Sequence, residues 1–216
     1  MKGLFRRLPV KFVSFEGIDG CGKSTLLAEL GNWLTQEAVP HVLTREPGGT
    51  RLGERIRDVL LDPSFDTLNE HAEVLLYSAS RAQLVSEVIR PALRQGMWVL
   101  ADRYIDATLA YQGFGRRLEL ESLRRIQEWA TGALWPDLTI LLDCDVAVAS
   151  SRMQARKETE DRIEKEGRLF HERVRAGYLE LARSAPERFV VVDANMGLQE
   201  VKDGFRTALA NALARA

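Results

Sequence analysis

The feature that most constrains this chain is a glycine-rich segment, Gly-Ile-Asp-Gly-Cys-Gly-Lys-Ser, at residues 17–24. An apolar stretch typical of a β-strand, residues 11–17, leads into it, and a helical pattern over about residues 23–37 follows it. Glycines at this spacing let backbone N–H groups turn inward around phosphate oxygens, and the start of the helix adds partial positive charge. A chance glycine-rich turn is the alternative, but this segment has the flanking strand and helix that a phosphate loop requires.

The predicted phosphate loop assigns chemistry to individual side chains. Lys23 is expected to reach the β- and γ-phosphates of a nucleotide, and the hydroxyl of Ser24 can ligate Mg²⁺. Cys21 is interpreted as an ordinary small residue of the loop, with no redox role. The residues predicted to bind the nucleotide are Gly17, Ile18, Asp19, Gly20, Cys21, Gly22, Lys23, Ser24 and Thr25.

A second motif, Trp-Val-Leu-Ala-Asp-Arg-Tyr at residues 98–104, is an apolar strand that ends in an aspartate. Taken alone, Asp102 is as well explained by a helix-capping role. Beside a phosphate loop, an aspartate at a strand end is typical of a residue that holds Mg²⁺ through water. Arg103 then lies at the carboxyl edge of the sheet, where a guanidinium can neutralise charge between two phosphates.

Short apolar segments alternate with helical ones along the chain. Strands are predicted at residues 11–17, 41–45, 97–101, 138–142 and 188–192. The main helical segments are predicted at residues 23–37, 69–93, 120–129, 146–181 and from 198 onward, and Pro91 is expected to kink or end the second of them. Such alternation requires crossover connections and predicts an α/β fold, a five-stranded parallel sheet with helices on both faces. We predict one domain over residues 1–216.

Composition excludes several classes of protein. With 45% hydrophobic and 28% charged residues, the chain is ordinary for a globular protein. Its formal net charge of −1 gives no general attraction to nucleic acid or acidic membranes. The apolar stretches fall short of the about 20 residues of a membrane helix. Cys21 and Cys144 lie too far apart in sequence for a metal or redox motif, so we expect a cytoplasmic protein. From the charge and the short apolar stretches we expect no nucleic-acid or membrane partner.

Two polar segments are candidates for contacts with a second substrate. Thr-Arg-Glu-Pro-Gly-Gly-Thr, at residues 44–50, follows the second strand and by itself predicts only a turn, but at the same edge of the sheet. The charged segment at about residues 151–163 has two interpretations. It is either a solvated helix face with i,i+4 ion pairs or a short helical lid whose arginines close over phosphates.

Together these motifs predict phosphoryl transfer. The guanine-reading sequence Asn-Lys-x-Asp is absent, which disfavours a GTPase switch. A lid and a second polar loop suit a small-molecule kinase better than a mechanical ATPase. The alternatives are a nucleotide or nucleoside kinase with another acceptor, a nucleotide-dependent regulatory protein, and a relic with a dead site. The relic is disfavoured because Lys23, Ser24, Asp102 and Arg103 are all present.

In its motifs the chain resembles the bacterial thymidylate kinases, which are phosphate-loop nucleoside monophosphate kinases. The matching segments, in family order, are Phe-Glu-Gly at 15–17, Thr-Arg-Glu-Pro-Gly-Gly at 44–49, Asp-Arg-Tyr at 102–104, Ala-Tyr-Gln-Gly at 110–113 and Pro-Asp-Leu-Thr at 136–139. The resemblance covers the chain from residue 12 to the last helix. It implies Mg²⁺-dependent transfer of the γ-phosphoryl group of ATP to dTMP, giving dTDP, by a homodimer.

The resemblance assigns acceptor roles to residues near the phosphate loop. Asp19 corresponds to an acidic residue near the deoxyribose 3′-hydroxyl, and Glu46 and Pro47 correspond to residues that line the acceptor pocket. Arg57 corresponds to an arginine that grips the dTMP phosphate, although by pattern alone it is a surface helix charge. Arg103 would hold the same phosphate from the other side, and two guanidiniums can bind a dianion bidentately.

The resemblance also assigns residues to the thymine base. Tyr77 stands where the family commonly has a phenylalanine that stacks on thymine, although taken alone it is better explained as a core residue. Arg81, four residues later on the same helix face, would donate to a base carbonyl. Thr108 and Gln112 correspond to the polar pair that reads the thymine edge, and Ala107 stands where relatives often have serine.

Members of the family differ in where their catalytic arginine lies. Some carry it in the phosphate loop, at the position that Gly20 occupies here. The resemblance therefore implies that the lid supplies the arginine. Arg156 is the first candidate, followed by Arg152 and Arg162. The predicted catalytic residues are Lys23, Arg103, Arg156 and Asp19.

Overall fold

A parallel sheet forms the centre of the molecule. The computed structural model describes residues 11–156 and 161–215. Five strands lie in the order β2-β3-β1-β4-β5, and every neighbouring pair is parallel. They are β1 (Phe12–Glu16), β2 (His41–Arg45), β3 (Trp98–Asp102), β4 (Leu138–Asp143) and β5 (Phe189–Asp193). The predicted five-stranded parallel sheet is confirmed.

The register of the strands brings the sequence motifs together. Asp102, the last residue of β3, lies opposite Phe15 of β1 and opposite Arg45 of β2. Because the strands are parallel, the segments that follow them leave the sheet at the same edge. The phosphate loop after β1, residues 44–50 at the end of β2, and Arg103 after β3 therefore lie side by side.

Five predicted helix starts are matched within one residue by the nine α-helices of the described residues. They are α1 (Lys23–Gln36), α2 (Arg51–Leu61), α3 (Glu70–Leu84), α4 (Arg90–Arg94), α5 (Ile105–Thr108), α6 (Leu120–Thr131), α7 (Val146–Arg156), α8 (Arg168–Ser184) and α9 (Leu198–Arg215). Wide π-helical turns cover Val85–Ile89, between α3 and α4, and Leu109–Gly115, after α5. None of these helices, within the described residues, is long and apolar enough to cross a membrane.

The helix predicted at residues 69–93 continues through Pro91 rather than ending there. Asn69 caps its start by accepting the backbone N–H groups of His71 and Ala72. Proline lacks an N–H group, and its ring clashes with the preceding turn of a regular α-helix. Here the wide turn Val85–Ile89 comes just before Pro91. This turn changes the hydrogen-bond register there, so the helical path runs on to Arg94.

The prediction of one helical stretch over residues 146–181 was wrong. Helix α7 ends at Arg156, and α8 begins only at Arg168. Between them, the carboxylate of Asp161 accepts the backbone N–H groups of Ile163 and Glu164, at 2.8 and 2.9 Å. A side chain that hydrogen-bonds its own following backbone offers that backbone an alternative to the helix. The predicted lid is thus helical over residues 151–156, and residues 157–160 lie outside the described residues.

Candidate active site

Two adjoining pockets lie at the carboxyl edge of the sheet. The larger, about 250 Å³, lies over the phosphate loop and is called the phosphate pocket. The smaller, about 70 Å³, is called the acceptor pocket. The phosphate pocket is lined by Asp19, Gly20, Gly22, Lys23, Ser24, Thr25, Arg45, Glu46, Arg57, Asp102 and Arg103. The acceptor pocket is lined by Asp19, Glu46, Pro47, Arg57, Leu61, Tyr77, Arg81, Arg103, Ala107, Thr108, Tyr111, Gln112, Asp161 and Ile163.

The glycines of the phosphate loop have backbone conformations that other residues rarely adopt. Gly17 and Gly20 have φ angles of 135° and 80°. A Cβ atom on Gly20 would lie 2.4 Å from the carbonyl oxygen of Ala149, so there is no room for a side chain. Lys23 is buried at the start of α1, and its Nζ donates to the Ile18 carbonyl at 3.0 Å. The sequence motif thus forms a compact loop with its ammonium group folded over it.

Ser24 and Asp102 meet although they are far apart in sequence. The Ser24 hydroxyl donates to Oδ2 of Asp102 at 2.9 Å. Both side chains line the phosphate pocket. The loop after β1 and the end of β3 thus present a hydroxyl and a carboxylate to the same point. That both hold Mg²⁺ stays a prediction from the sequence motifs.

Arg103 is held firmly at the boundary between the pockets. Its φ angle of 71° is in the left-handed region, which is uncommon for a residue with a side chain. Its guanidinium donates to the Gly17 carbonyl at 2.9 Å and to Asp19 Oδ1 at 2.5 Å. It also donates to the hydroxyls of Tyr111 and Tyr178, at 3.0 and 3.2 Å. These contacts fix the orientation of a cation that lines both pockets.

Asp19 is the carboxylate that balances this cation. Burial raises its pKa, but the charges of Arg103 and Lys23 and a hydrogen bond from the Tyr111 hydroxyl outweigh that effect. Together they hold the pKa of Asp19 well below its usual range. Asp19 therefore stays ionised near neutral pH and keeps Arg103 in place.

Sequence reasoning missed several residues around Arg103. Tyr111 lies in the Ala-Tyr-Gln-Gly motif at residues 110–113, but no contact with Arg103 or Asp19 was predicted for it. Tyr178 lies on α8, and its hydroxyl donates to Oε2 of Glu16 at 2.8 Å. The other oxygen of Glu16 accepts the backbone N–H of Tyr104, the residue after Arg103, at 2.7 Å. No local pattern indicates a contact between positions 162 residues apart.

Glu16 is a buried acid with an unusual proton affinity. Desolvation by burial and the nearby carboxylate of Asp106 raise its pKa to about 8. The ordinary pKa of a glutamate is 4.5. Between pH 4.5 and about 8, the folded protein therefore keeps a proton on Glu16 that the unfolded chain has lost. The contribution of Glu16 to stability is therefore fully present below pH 4.5 and is lost as the pH rises toward about 8.

We predict that Glu16→Gln flattens this pH dependence. The free energy of unfolding of the wild type, relative to Glu16→Gln, should fall with rising pH by up to about 1.4 kcal/mol per pH unit, because one proton is involved. Urea titrations of both proteins between pH 5 and about 8 measure the difference, over the interval set by the pKa of Glu16. Glu121→Gln, at an exposed carboxylate of α6, is the control and should behave as the wild type. Parallel stability curves for wild type and Glu16→Gln would contradict the prediction.

Arg81 and Glu46 form a buried ion pair at the acceptor pocket. Nε and Nη2 of Arg81 lie 2.6 and 2.5 Å from Oε2 of Glu46. The remaining guanidinium N–H groups donate to Thr108 Oγ1, Gln127 Oε1 and the Tyr104 carbonyl, at 2.9, 2.5 and 2.9 Å. All five N–H donors of the guanidinium are thus engaged. A contact between Arg81 and a base carbonyl, as the resemblance implies, needs one of these partners to be exchanged.

The segment after β2 lines the side of the acceptor pocket that adjoins the phosphate pocket. Arg57 of α2 donates from Nη1 to the Pro47 carbonyl at 3.0 Å. Oε1 of Glu46 is buried and has no hydrogen-bond partner among the described residues. Glu46, Pro47 and Arg57, assigned from the resemblance, therefore lie together around one pocket.

The predicted base-reading residues also share this pocket. Tyr77, Ala107, Thr108 and Gln112 all line it. Burial raises the pKa of the Tyr77 phenol, so the ring stays neutral. Leu61 and Ile163 add apolar lining that sequence reasoning did not identify. A flat aromatic ring, apolar walls and a few polar groups are typical of a site for a small aromatic ligand.

The candidate lid arginines have different surroundings. Arg152 donates to the carbonyl oxygens of Ala194 and Met196, at 2.8 and 3.0 Å, and so binds the loop after β5. Arg162 donates to the Leu60 carbonyl at 2.9 Å. Both therefore have protein partners away from the phosphate pocket. The side chain of Arg156 lies outside the described residues.

The fold and the paired pockets define a phosphate-loop phosphotransferase. A family model described as thymidylate kinase matches residues 15–204. The chain belongs to the thymidylate kinase family.

Relatives that are described as thymidylate kinase cover nearly the full length of this chain. The one from Desulforudis audaxviator is 53% identical over 184 residues, which are 85% of this chain and 82% of the relative. The one from Carboxydothermus hydrogenoformans is 49% identical, with 88% and 92% covered. The one from Symbiobacterium thermophilum is 48% identical, with 94% of each chain covered.

Proposed function

We propose which residues of the two pockets bind the donor, bind the acceptor and stabilise the transferred group in the thymidylate kinase reaction. The chain phosphorylates dTMP to dTDP with ATP as the donor, a step in the synthesis of dTTP. One observation carries the assignment of roles: Arg57 and Arg103 line both pockets. Their guanidiniums are therefore placed between the donor phosphates in one pocket and the acceptor phosphate in the other. Guanidiniums at this boundary offset the repulsion between donor and acceptor phosphates.

The phosphate pocket holds the donor. The backbone N–H groups of the loop and the ammonium of Lys23 bind the β- and γ-phosphates of ATP. The acceptor is an ionised phosphate, so the reaction needs no strong general base. Arg103 is already oriented by Asp19 and Tyr111. It can stabilise the charge that develops during transfer with little reorganisation.

Mg²⁺ fits the pair formed by Ser24 and Asp102. A hydroxyl and a carboxylate 2.9 Å apart are the hard oxygen donors that Mg²⁺ prefers. Among the described residues, no group of three or more His, Cys, Asp or Glu side chains is arranged so that it could hold a metal ion. Ser24 would therefore hold the ion together with the phosphates, and Asp102 through water. The bound ion would supply positive charge at the β- and γ-phosphates.

The acceptor pocket holds dTMP. Arg57 and Arg103 bind its phosphate, and Asp19 accepts a hydrogen bond from the deoxyribose 3′-hydroxyl. Glu46 and Pro47 line this side of the pocket. The ring of Tyr77 stacks on thymine, and Thr108 and Gln112 form the polar edge around the base. Arg81 contacts a base carbonyl by exchanging one of its protein partners. The lining of the pocket by all of these side chains supports the assignment.

The lid supplies one further cation. We assign this role to Arg156, at the end of α7. The protein contacts of Arg152 and Arg162 support this choice, because both guanidiniums hold other segments of the chain. Closure of a lid over the phosphates also excludes water and suppresses ATP hydrolysis.

A homodimer is the assembly that we propose. Large apolar side chains are exposed on helices that lie next to one another: Leu52 (49%) and Val59 (36%) of α2, Leu75 (60%) of α3 and Trp129 (88%) of α6. Sedimentation equilibrium tests this directly, and a monomer at micromolar concentration would contradict it. A cytoplasmic location and a single domain over residues 1–216 stay predictions from the sequence.

The experiment that tests the proposed function measures ADP release from Mg·ATP with a panel of acceptors. dTMP, dUMP, dCMP, UMP, AMP and no acceptor are compared in the same coupled assay. We expect turnover that depends on the acceptor and is fastest with dTMP. Preference for another monophosphate would favour a nucleotide kinase with a different acceptor. Turnover that needs no acceptor, or ATP binding without turnover, would favour an ATPase or a nucleotide-dependent switch.

A further inference from the structure

Glu73 of α3 is a fully buried carboxylate next to the acceptor pocket. It is 0% exposed, and it does not itself line the pocket. Its Oε1 accepts from Nε2 of Gln112 at 2.7 Å. Its Oε2 lies 2.7 Å from Nη2 of Arg162, and Arg116 donates to both oxygens at 3.3–3.4 Å. Both guanidiniums therefore meet at Oε2, and Oε1 is shared between Gln112 and a longer contact from Arg116.

The contact with Glu73 sets the orientation of the Gln112 amide. A carboxylate can only accept hydrogen bonds, so the amide must turn its NH₂ group toward Glu73. Its carbonyl oxygen, Oε1, is then the hydrogen-bond acceptor left for the pocket that Gln112 lines, since the NH₂ group, with its two donors, lies on the side of Glu73. Gln112 is 2% exposed. A ligand group that cannot hydrogen-bond to Oε1 is therefore left unpaired there, because water cannot reach it to take the place of that bond.

Arg81 likewise restricts the hydrogen bonding of Thr108, but as a donor. The guanidinium donates to Thr108 Oγ1 at 2.9 Å, and it has no acceptor to offer in return. The hydroxyl hydrogen of Thr108 is therefore available to another group. Buried charged residues thus turn the carbonyl acceptor of Gln112 and the hydroxyl donor of Thr108 toward the edge of this pocket.

We propose that Glu73 determines the class of base that the acceptor pocket takes. By turning the carbonyl of Gln112 toward the ligand, it selects a pyrimidine whose ring N3 carries a hydrogen, as in thymine and uracil. Cytosine presents a lone pair at N3, and two acceptors would face each other without a shared hydrogen. Glu73 is a positioning residue, since it acts through Gln112. The inference rests on the proposed binding of the base beside Gln112 and Thr108.

Glu73→Gln tests this inference because it reverses the polarity. Arg162 and Arg116 both lie at the Oε2 position, so the carbonyl of the new glutamine takes that position and its NH₂ group takes the one that faces Gln112. The longer contact from Arg116 to Oε1 is then lost. Gln112 must then accept with its carbonyl and offer its NH₂ group to the ligand. We expect the ratio of kcat/KM for dTMP to kcat/KM for dCMP to fall at least about tenfold. The change should lie in KM, since the phosphate groups are untouched.

Matched variants separate positioning from general damage. Glu73→Asp keeps an acceptor-only side chain and should retain the preference for dTMP better than Glu73→Gln. Glu166→Gln removes another carboxylate that pairs with Arg116, but it leaves the contact between Glu73 and Gln112 intact. It should keep the wild-type ratio. Thermal unfolding of each variant shows whether it is folded under the assay conditions.

The outcomes distinguish this inference from the proposed function. A wild type that does not prefer dTMP would overturn the proposed function itself. A wild type that prefers dTMP, with an unchanged ratio in folded Glu73→Gln, would overturn only the role of Glu73. An equal loss of the ratio in Glu73→Asp and Glu73→Gln would also overturn it, because polarity would then not matter. A ratio that falls in Glu73→Gln alone supports it.

Discussion

Replacing Arg103 with alanine should lower kcat for dTMP phosphorylation by at least about 100-fold, the scale at which a preorganised electrostatic contact contributes to catalysis. Arg103 lines both pockets, and four hydrogen-bond acceptors hold its guanidinium in one orientation. Its loss also leaves the carboxylate of Asp19 without its main partner beside two phosphates. Steady-state kinetics at saturating ATP and dTMP measure the effect.

Control variants separate charge, geometry and backbone strain. Arg103→Gly removes the same side chain and relieves the positive φ angle, so a loss equal to that of Arg103→Ala assigns the effect to the guanidinium. Arg103→Lys keeps the charge but cannot bridge the same acceptors, and it should fall between wild type and alanine. Arg125→Ala, at an exposed ion pair, should turn over normally. Near-normal kcat in Arg103→Ala would refute the proposed role.

Lys23→Ala should also lower kcat by at least about 100-fold. The ammonium group of Lys23 is buried in the loop, 3.0 Å from the Ile18 carbonyl and 3.8 Å from Asp19. Without it, the developing charge on the γ-phosphoryl group loses a direct partner. The loop keeps its backbone N–H groups, so nucleotide binding should weaken less than turnover. Calorimetric titration with ADP, beside steady-state kinetics, measures the two effects separately.

A matched lysine elsewhere controls for the change in net charge. Lys202 of α9 pairs with Glu29, 3.0 Å away, and lies in neither pocket. Lys202→Ala should therefore leave kcat and ADP affinity close to those of the wild type. A Lys23→Ala enzyme whose kcat stays within a few-fold of wild type would remove Lys23 from the transfer step.

Much of the fold could be read from local patterns. The strands are short apolar runs, and the phosphate loop and the aspartate at residue 102 sit at their ends. Because parallel strands end at the same edge of a sheet, these patterns sufficed to predict that Ser24 and Asp102 belong to one site. Patterns failed where local hydrogen bonds competed with helix periodicity, as at Asp161. They also missed the wide turn at Val85–Ile89, which carries the helix past Pro91.

The sequence by itself determined the phosphate loop, the parallel sheet and the kind of reaction, because each depends on residue types at short, fixed spacings. Only the tertiary structure decided how the side chains orient one another. Tyr178 reaches Glu16 from α8, and Glu73 turns the amide of Gln112 from a separate helix. A buried polar atom must find a partner, and that partner lies wherever packing brings one within about 3 Å, irrespective of distance along the chain.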